Sequence, residues 1–383
     1  MDDHWRDAYY GQGLDRVRSA EGYGMMAKAP TVYDVAELAG VSIATVSRVL
    51  RSPGVVKEST SVRVMDAVRE LGYLPSGSAR GLAARRTNVI GLFLPGHDAI
   101  DRTDSSPLPA EDGVRFVIDH GESPAESRDL YFDEVLRGVE VEAWSRGFAL
   151  MIGVGRGSSR EVMAGNVASL VDGLAVLSRT VPDELLTQLA RRMPVVMLAG
   201  PRGDDRLDHV GVDNAGGMYA LTRHVLVGHG IRDLVYVTGP DDSPDSAERR
   251  AGFDRALAEA GVQARVLPGD FLREGGRAAA ERLAADPPRA IVCANDQTAI
   301  GVLEVLERHG VAVPDRTMVT GFDGIAAGRT TRPRLTTVRQ PMAELGRVAV
   351  QAITARLADP LMPPQTFVLP VEIVLRESCP PVG

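Results

Sequence analysis

The residues best suited to chemistry near the start of the chain lie between 42 and 48. The guanidinium group of Arg48 can donate two hydrogen bonds to one guanine. The hydroxyls of Thr45 and Ser47 can bind phosphates, which position a protein on DNA without reading its sequence. This cluster is typical of a helix that reads the major groove of DNA.

A second set of polar residues directly follows apolar runs of the chain. Asn295 and Asp296 come after a run that ends at Ala294, and Asp323 comes after Phe322. In open α/β sheets, ligands bind beyond the carboxyl ends of the strands. These side chains are therefore candidates for binding a small molecule, although Asn295 and Asp323 could instead cap helices.

Other patterns give no support to catalysis, and we expect no catalytic residue, metal site or cofactor. The glycines at 153, 155 and 157 lack the full spacing of a phosphate-binding loop. The seven histidines are scattered, and even His224 and His229 stand five residues apart, which does not place them on one face of an α-helix. The two cysteines, Cys293 and Cys379, offer no disulfide framework, which fits a reducing cytoplasm.

The elements that position the first cluster are two short helices and a turn within Thr31–Leu50, TVYDVAELAGVSIATVSRVL. Apolar residues recur there at helical spacing, Gly40 supplies the turn and Ser42 is suited to cap the second helix. A third helix is predicted over Lys57–Leu71. Its core-facing residues are predicted at three-residue steps, at Val62, Met65, Val68 and Leu71.

The rest of the chain alternates short apolar runs with helical stretches, as in a parallel sheet covered on both faces. This pattern predicts a doubly wound α/β body. Its candidate strands are Val89–Leu94, Ala149–Val154, Gly173–Leu177, Val195–Ala199, Leu234–Thr238, Ala290–Ala294 and Met318–Phe322.

The net charge of −8 is unevenly distributed. Residues 31–88 carry +3, so the remainder carries −11. An acidic body would repel DNA everywhere except at a basic reading surface, although an ordinary solvated face could carry the same charge. No apolar run approaches the roughly 20 residues of a membrane span. We therefore expect no membrane partner.

Several segments in order resemble the lactose repressor (LacI/GalR) family of bacterial transcription factors. They are TVYDVAELAGVS and TVSRVL near the start, ELGYLPS and ARGLA after the third helix, and VIGLFLP, YFDEVLRGVE, VDGLAVLS, VGVDNAGG, ERRAGFDRAL, CANDQTAIGVL, VTGFDG and LTTVRQP along the body. The resemblance implies a helix-turn-helix headpiece and a two-lobed body like a periplasmic binding protein, crossed three times by the chain.

The resemblance also implies a hinge helix between headpiece and body, which forms when two protomers meet on DNA. Leu82 then stands where a leucine wedges into the minor groove. Gly77 and Gly81 disfavour a helix, so we expect the hinge to be disordered away from DNA. The residues predicted to contact DNA are Thr31, Tyr33, Ser42, Ile43, Ala44, Thr45, Ser47, Arg48, Arg51, Ala79 and Leu82.

For the effector, the resemblance implies contacts from Arg249, Phe271, Asn295, Asp323 and Gln340. Oxygens that accept from hydroxyls, a guanidinium fork and an aromatic face suit a sugar or related polyol, and a nucleoside fits nearly as well. The alternatives are structural: Phe271 in the core, and Arg249 paired on the surface with a neighbouring acidic residue.

Domain boundaries follow from these assignments. We predict a disordered extension or misassigned start at 1–28, a headpiece at 29–75, a hinge at 76–87 and a body at 88–383. Residues 96–129 form an acidic insertion that the family pattern lacks, and it could be a lid, a partner-binding loop or disordered.

The resulting hypothesis is a cytoplasmic transcriptional repressor that binds a pseudo-palindromic DNA operator as a homodimer and responds to a small-molecule effector. A tetramer stays possible, and the effector could act as inducer or corepressor. The rival classes are a solute-binding protein, which has no use for the headpiece, and an enzyme.

Overall fold

The computed structural model describes residues 30–51, 53–73, 86–96, 130–155, 160–200 and 206–382. The chain divides into two compact units, Met1–Ala83 and Ala84–Gly383. The predicted insertion at 96–129 lies almost wholly outside the described residues, as do 1–28 and most of the hinge. No described helix is both long enough and apolar enough to cross a bilayer.

The first unit is the predicted three-helix headpiece: α1 (Val32–Ala39), α2 (Ile43–Arg51) and α3 (Glu58–Leu71). Gly40 turns the chain between α1 and α2 with a φ of 62°, a left-handed conformation that favours glycine. The Ser42 hydroxyl accepts the Thr45 N–H at 3.2 Å, so Ser42 caps α2 as predicted.

The predicted inner face of α3 is wrong at two positions. Val62 and Met65 are 52% and 38% exposed, whereas Val64 and Ala67 are buried. Each three-residue step falls about 60° short of a full turn, so three such steps drift through about 180°. A face that stays inward needs alternating steps of three and four residues, which Val64, Ala67, Val68 and Leu71 supply.

The second unit is the predicted pair of α/β lobes. Lobe 1 holds a fully parallel sheet with strand order β11-β5-β4-β3-β1-β2. Its strands are β1 (Val89–Pro95), β2 (Ala149–Gly155), β3 (Gly173–Leu177), β4 (Val195–Leu198), β5 (Asp208–Val212) and β11 (Thr366–Leu369). Its helices are α4 (Leu130–Ser145), α5 (Arg160–Ala168), α6 (Asp183–Ala190) and α11 (Met342–Ala358).

Lobe 2 holds a sheet of order β12-β10-β9-β8-β6-β7, in which only β12 runs antiparallel. Its strands are β6 (Leu234–Val237), β7 (Arg265–Leu267), β8 (Ala290–Cys293), β9 (Met318–Asp323), β10 (Thr336–Arg339) and β12 (Glu372–Val374). Its helices are α7 (Asn214–Arg223), α8 (Pro244–Ala260), α9 (Arg273–Glu281) and α10 (Asp296–Arg308), with a π-helical turn at His224–Gly228.

The chain passes between the lobes three times, as the resemblance implied. The crossings follow β5, β10 and β11, so α11 and β11 return to lobe 1 before β12 completes lobe 2. Three strand connections at one boundary are compatible with a change in the angle between the lobes.

Glycines allow α4 and α11 to pack closely in lobe 1. A Cβ atom added to Gly138 would lie 1.9 Å from the carbonyl oxygen of Ala343. A Cβ added to Gly346 would lie 2.2 Å from the carbonyl oxygen of Val135. These contacts involve backbone atoms, which cannot rotate away as a side chain can.

We therefore expect Gly138→Ala to destabilise the body by about 2–3 kcal/mol, because the two helices must separate. The matched control is Gly165→Ala in α5, where an added Cβ meets nothing within 4 Å. That change should be neutral or should stabilise by up to about 1 kcal/mol through helix propensity. Urea denaturation of both variants measures the difference; equal stabilities would contradict the close packing.

Candidate functional site

In the headpiece, α2 presents a polar face opposite a buried apolar one. Val46 and Val49 are buried, while Ser42, Ile43, Ala44 and Arg48 are exposed and Thr45 and Ser47 are half-buried. Tyr33 on α1 is 67% exposed. The predicted reading side chains of α2 and Tyr33 of α1 are thus wholly or partly accessible to a partner.

Of the remaining predicted DNA contacts, the structure describes the side chain of Thr31 alone. Thr31 donates through its N–H and its hydroxyl to the Asp34 carboxylate, at 2.6 and 2.7 Å, and so begins α1. Arg51 ends α2, and nothing is described of its side chain; Ala79 and Leu82 lie outside the described residues. Contacts with DNA from all of these residues stay predictions.

Between the lobes of the second unit lies a cavity of about 570 Å³. Its walls come from the residues that follow the carboxyl ends of strands in both sheets, as expected for doubly wound folds. They include Ser178 and Arg179 after β3, Asp242 after β6, Phe271 after β7, Asn295 after β8 and Asp323 at the end of β9.

A buried ion pair forms the floor of this cavity on the lobe 2 side. The Nη1 atom of Arg249, on α8, lies 3.2 Å from Oδ1 of Asp323, and both residues are buried. Arg249 also donates to Oδ1 of Asn214 at 2.9 Å and to the Ala294 carbonyl at 2.7 Å. Its guanidinium carbon lies 3.9 Å from the centre of the Phe322 ring. The surface alternative for Arg249 is therefore wrong; the neighbouring Arg250 makes the pair with Asp254.

Burial controls the protonation of the carboxyl groups here. It raises the pKa of Asp323 to about 6, while the charge of Arg249 acts in the opposite direction. Burial and the nearby Asp323 charge also raise the pKa of Asp296. Asp296 does not line the cavity; its carboxylate accepts the N–H groups of Gly324 and Ile325 and so holds the loop after Asp323.

The other predicted effector residues are placed differently. Asn295 caps α10 by accepting the Thr298 N–H at 3.0 Å and donates to the Phe271 carbonyl at 2.9 Å, so the capping alternative is confirmed although Asn295 also lines the cavity. Phe271 is half-buried in the cavity wall. Gln340 lies behind Asp323, to which it donates at 2.7 Å, and is not among the lining residues.

Backbone strain is concentrated at the same place. Five described non-glycine residues have a positive φ, and four of them line the cavity: Arg179, Ala199, Phe271 and Asp323. Such conformations cost roughly 1–3 kcal/mol each and cluster at ligand sites, where the surroundings enforce them. The backbone geometry thus makes this cavity the candidate binding site, independently of the polarity of its lining.

Two cavity residues that the sequence analysis missed join the lobes. Arg179, in lobe 1, donates from Nε to Oδ2 of Asp242, in lobe 2, at 2.9 Å, and its Nη2 lies against the same carboxylate. The rule that selected Asn295 and Asp323 would have found Arg179, since it stands two residues after β3. The pair bridges the mouth of the cleft, so a change in lobe angle must alter or break it.

Comparisons with known proteins agree with this architecture. Residues 31–76 match the family of bacterial regulatory proteins, lacI family, and residues 224–379 match a periplasmic binding protein-like domain. The HTH-type transcriptional repressor PurR of Vibrio parahaemolyticus is 31% identical over 359 residues, which cover 91% of this chain and 98% of the relative. The catabolite control protein A of Priestia megaterium is 27% identical over 91% of this chain and 98% of its own length.

Solved structures show the same fold. A complex of the transcriptional regulator CelR with cellobiose is 29% identical, with a TM-score of 0.63 over 91% of this chain and 99% of that one. The lac repressor dimer bound to operator and an anti-inducer has a TM-score of 0.74 at 22% identity, over 92% of this chain and 100% of that one. The family match of the headpiece and a relative that is 31% identical over nearly its whole length lead to the same assignment. This chain belongs to the lacI family of bacterial DNA-binding transcription regulators.

Proposed function

We propose that this protein is a homodimeric repressor whose affinity for a pseudo-palindromic operator is set by a sugar or related polyol bound between the lobes. The observation that carries the proposal is the buried Arg249–Asp323 pair at the floor of a cavity lined by four strained residues. Residues held this way are preorganised to accept one ligand shape.

The chemistry of the cavity favours a ligand rich in hydroxyls. Carboxylates of Asp242, Asp245, Asp270 and Asp323 face it together with the guanidinium group of Arg249. Ionised carboxylates only accept hydrogen bonds, and adjacent hydroxyls of a polyol can donate to them. The CelR relative is solved with cellobiose, which supports the same class for this chain.

A nucleoside is the second candidate, because aromatic side chains lie on both sides of the cavity. Tyr131 and Phe132 come from lobe 1, with ring centres 5.5 Å apart, and Phe271 comes from lobe 2. Such rings can stack on a base.

A ligand screen that follows both the protein and its DNA tests this proposal. Thermal shift against sugars, polyols and nucleosides is followed by fluorescence anisotropy of a duplex that the protein selects from a random pool. We expect a saturable shift with a sugar or polyol and a change in DNA affinity, whose sign distinguishes inducer from corepressor. A nucleoside hit would replace the ligand class; no shift, in protein that still binds the duplex, would refute small-molecule control.

An apolar patch in lobe 1 supports the homodimer. The edge strand β2 exposes Ile152 and Val154, and α5, packed beside it, exposes Val162 and Met163. Ile152 and Val154 lie on the face of β2 opposite α5, so exposed apolar side chains flank this edge strand on both faces of the sheet. Exposed apolar residues at an unpaired sheet edge are typical of an association surface.

We expect the double variant Ile152→Glu, Val162→Glu to become monomeric and to bind the palindromic duplex at least about tenfold more weakly, because it places charges in the interface. Analytical ultracentrifugation and anisotropy measure the two effects. Leu361→Glu, at a 93% exposed residue outside the patch, is the control and should stay dimeric. A dimeric double variant would place the interface elsewhere.

A further inference from the structure

A π-helical turn in lobe 2 brings two histidines together that their spacing would separate in an α-helix. Residues five apart on an α-helix point about 140° away from each other. Here the His229 N–H donates to the His224 carbonyl at 3.2 Å, the i to i+5 bond of a π-helix. The two rings consequently lie side by side in an edge-to-face arrangement, with centres 4.9 Å apart. The sequence-based expectation that they lie on different faces is wrong.

The C-terminal segment adds a thiol and a carbonyl oxygen to this pair. Cys379 is buried, and its carbonyl accepts the Thr336 hydroxyl at 2.7 Å, which fixes the segment against β10. Nε2 of His229 and Nε2 of His224 lie 2.9 and 3.2 Å from the Pro380 carbonyl oxygen.

The spacing of these atoms matches a metal site. The two Nε2 atoms are 3.3 Å apart. Two nitrogens bound to one tetrahedral zinc ion, each at about 2.0–2.1 Å, are also separated by about 3.3 Å. The Cys379 sulfur and one nitrogen of each imidazole all lie within 4.8 Å of one another. A shift of about 1 Å brings the sulfur to tetrahedral separation from both nitrogens.

We propose that His224, His229 and Cys379 bind one divalent transition-metal ion, of which Zn²⁺ fits the donor set best. One thiolate and two imidazoles are ligands that zinc prefers, and the Pro380 carbonyl faces the fourth position. Binding releases the thiol proton of Cys379 to solvent, because the metal is bound by the thiolate.

The ion would join the end of the chain to the segment that follows the first crossing between the lobes. The turn at His224–Gly228 continues α7, which begins directly after that crossing. Val382 packs on the same turn, since a Cβ atom on Gly228 would lie 2.9 Å from it. Metal binding should therefore stabilise lobe 2 without taking part in effector contacts.

The test uses the full chain without a histidine tag, treated with a chelator and then titrated with Co²⁺ and Zn²⁺. We expect one ion per chain and a cobalt spectrum with a thiolate charge-transfer band. Cys379→Ser should remove the band, and both Cys379→Ser and His229→Gln should weaken binding at least about 100-fold, since each deletes a ligand.

The matched control is His309→Gln, which removes an exposed lobe 2 histidine paired with Glu281 at 3.0 Å and should leave binding unchanged. If Cys379→Ser does not fold, half-buried His229 provides the decisive variant. The absence of stoichiometric binding, or equal affinities for wild type and His229→Gln, would overturn the proposal. The two histidines would then serve only as hydrogen-bond donors to Pro380. DNA and effector binding are measured separately, so they do not decide this result.

Discussion

Asp323→Ala is expected to lower the free energy of unfolding of the body by about 3–5 kcal/mol, because it leaves a buried guanidinium group without its counter-charge. Arg249 and Asp323 are only 3% and 6% exposed, so the guanidinium group is largely removed from bulk water. Two of the acceptors that remain for Arg249 are neutral, the Asn214 amide and the Ala294 carbonyl. The same variant should lose its ligand-induced thermal shift, since the carboxylate lines the cavity.

The control for this prediction is a similar pair on the same helix. Arg250 and Asp254 lie 2.8 Å apart but are 37% and 48% exposed. Exposed pairs contribute about 0–1 kcal/mol, so Asp254→Ala should be nearly neutral and should keep the ligand response. Urea denaturation with and without ligand measures both quantities. Equal costs for the two variants would contradict a charged buried pair, and a ligand shift that survives Asp323→Ala would place the effector elsewhere.

Arg48→Ala is expected to weaken binding to the selected duplex by between about 30-fold and 10⁴-fold. A bidentate arginine–guanine contact is worth about 1–3 kcal/mol, and a dimer on a palindrome makes it in both half-sites. Discrimination between operator and random DNA should fall together with affinity, because a base contact is lost. Arg48 is exposed while Val46 and Val49 hold α2 in the core, so the headpiece should keep its fold.

Arg63→Ala provides the control for lost charge. Arg63 is also exposed, but it lies on α3 rather than on the predicted reading helix. We expect a small loss of affinity that is similar for operator and random DNA, with a shallower dependence on salt. Anisotropy titrations at several salt concentrations separate the two kinds of loss. If Arg48→Ala behaved like Arg63→Ala, Arg48 would bind phosphate rather than a base.

The headpiece could be predicted from the sequence because its determinants are local. Gly40, the Ser42 cap and the stripe ending at Val49 act within one or two helical turns. The buried parallel strands were equally visible as continuous apolar runs, and Gly173–Leu177 agrees to the residue. Strands β5, β7, β10, β11 and β12 were missed, because they are short or carry polar residues such as Asp208 and Thr336.

The family resemblance identified Arg249 and Asp323, but it could not show how they work. These residues are 74 positions apart, and only the folding of lobe 2 brings α8 against the end of β9. The same holds for Arg179 and Asp242, whose pairing depends on the angle between the two lobes. Long-range pairs of this kind leave no periodic signal in the chain.

The sequence by itself determined the three-helix headpiece, the alternating α/β body and the positions of seven of its strands along the chain. These features follow from local propensity and from apolar periodicity. The tertiary structure alone decided which polar side chains are buried together and in what geometry. The prediction that His224 and His229 lie on different helix faces failed because of a π-helical turn. A hydrogen bond from residue i+5 instead of i+4 rotates the following side chain onto another face. Burial and distance, which set pKa values and ligand geometry, arise only when distant segments pack.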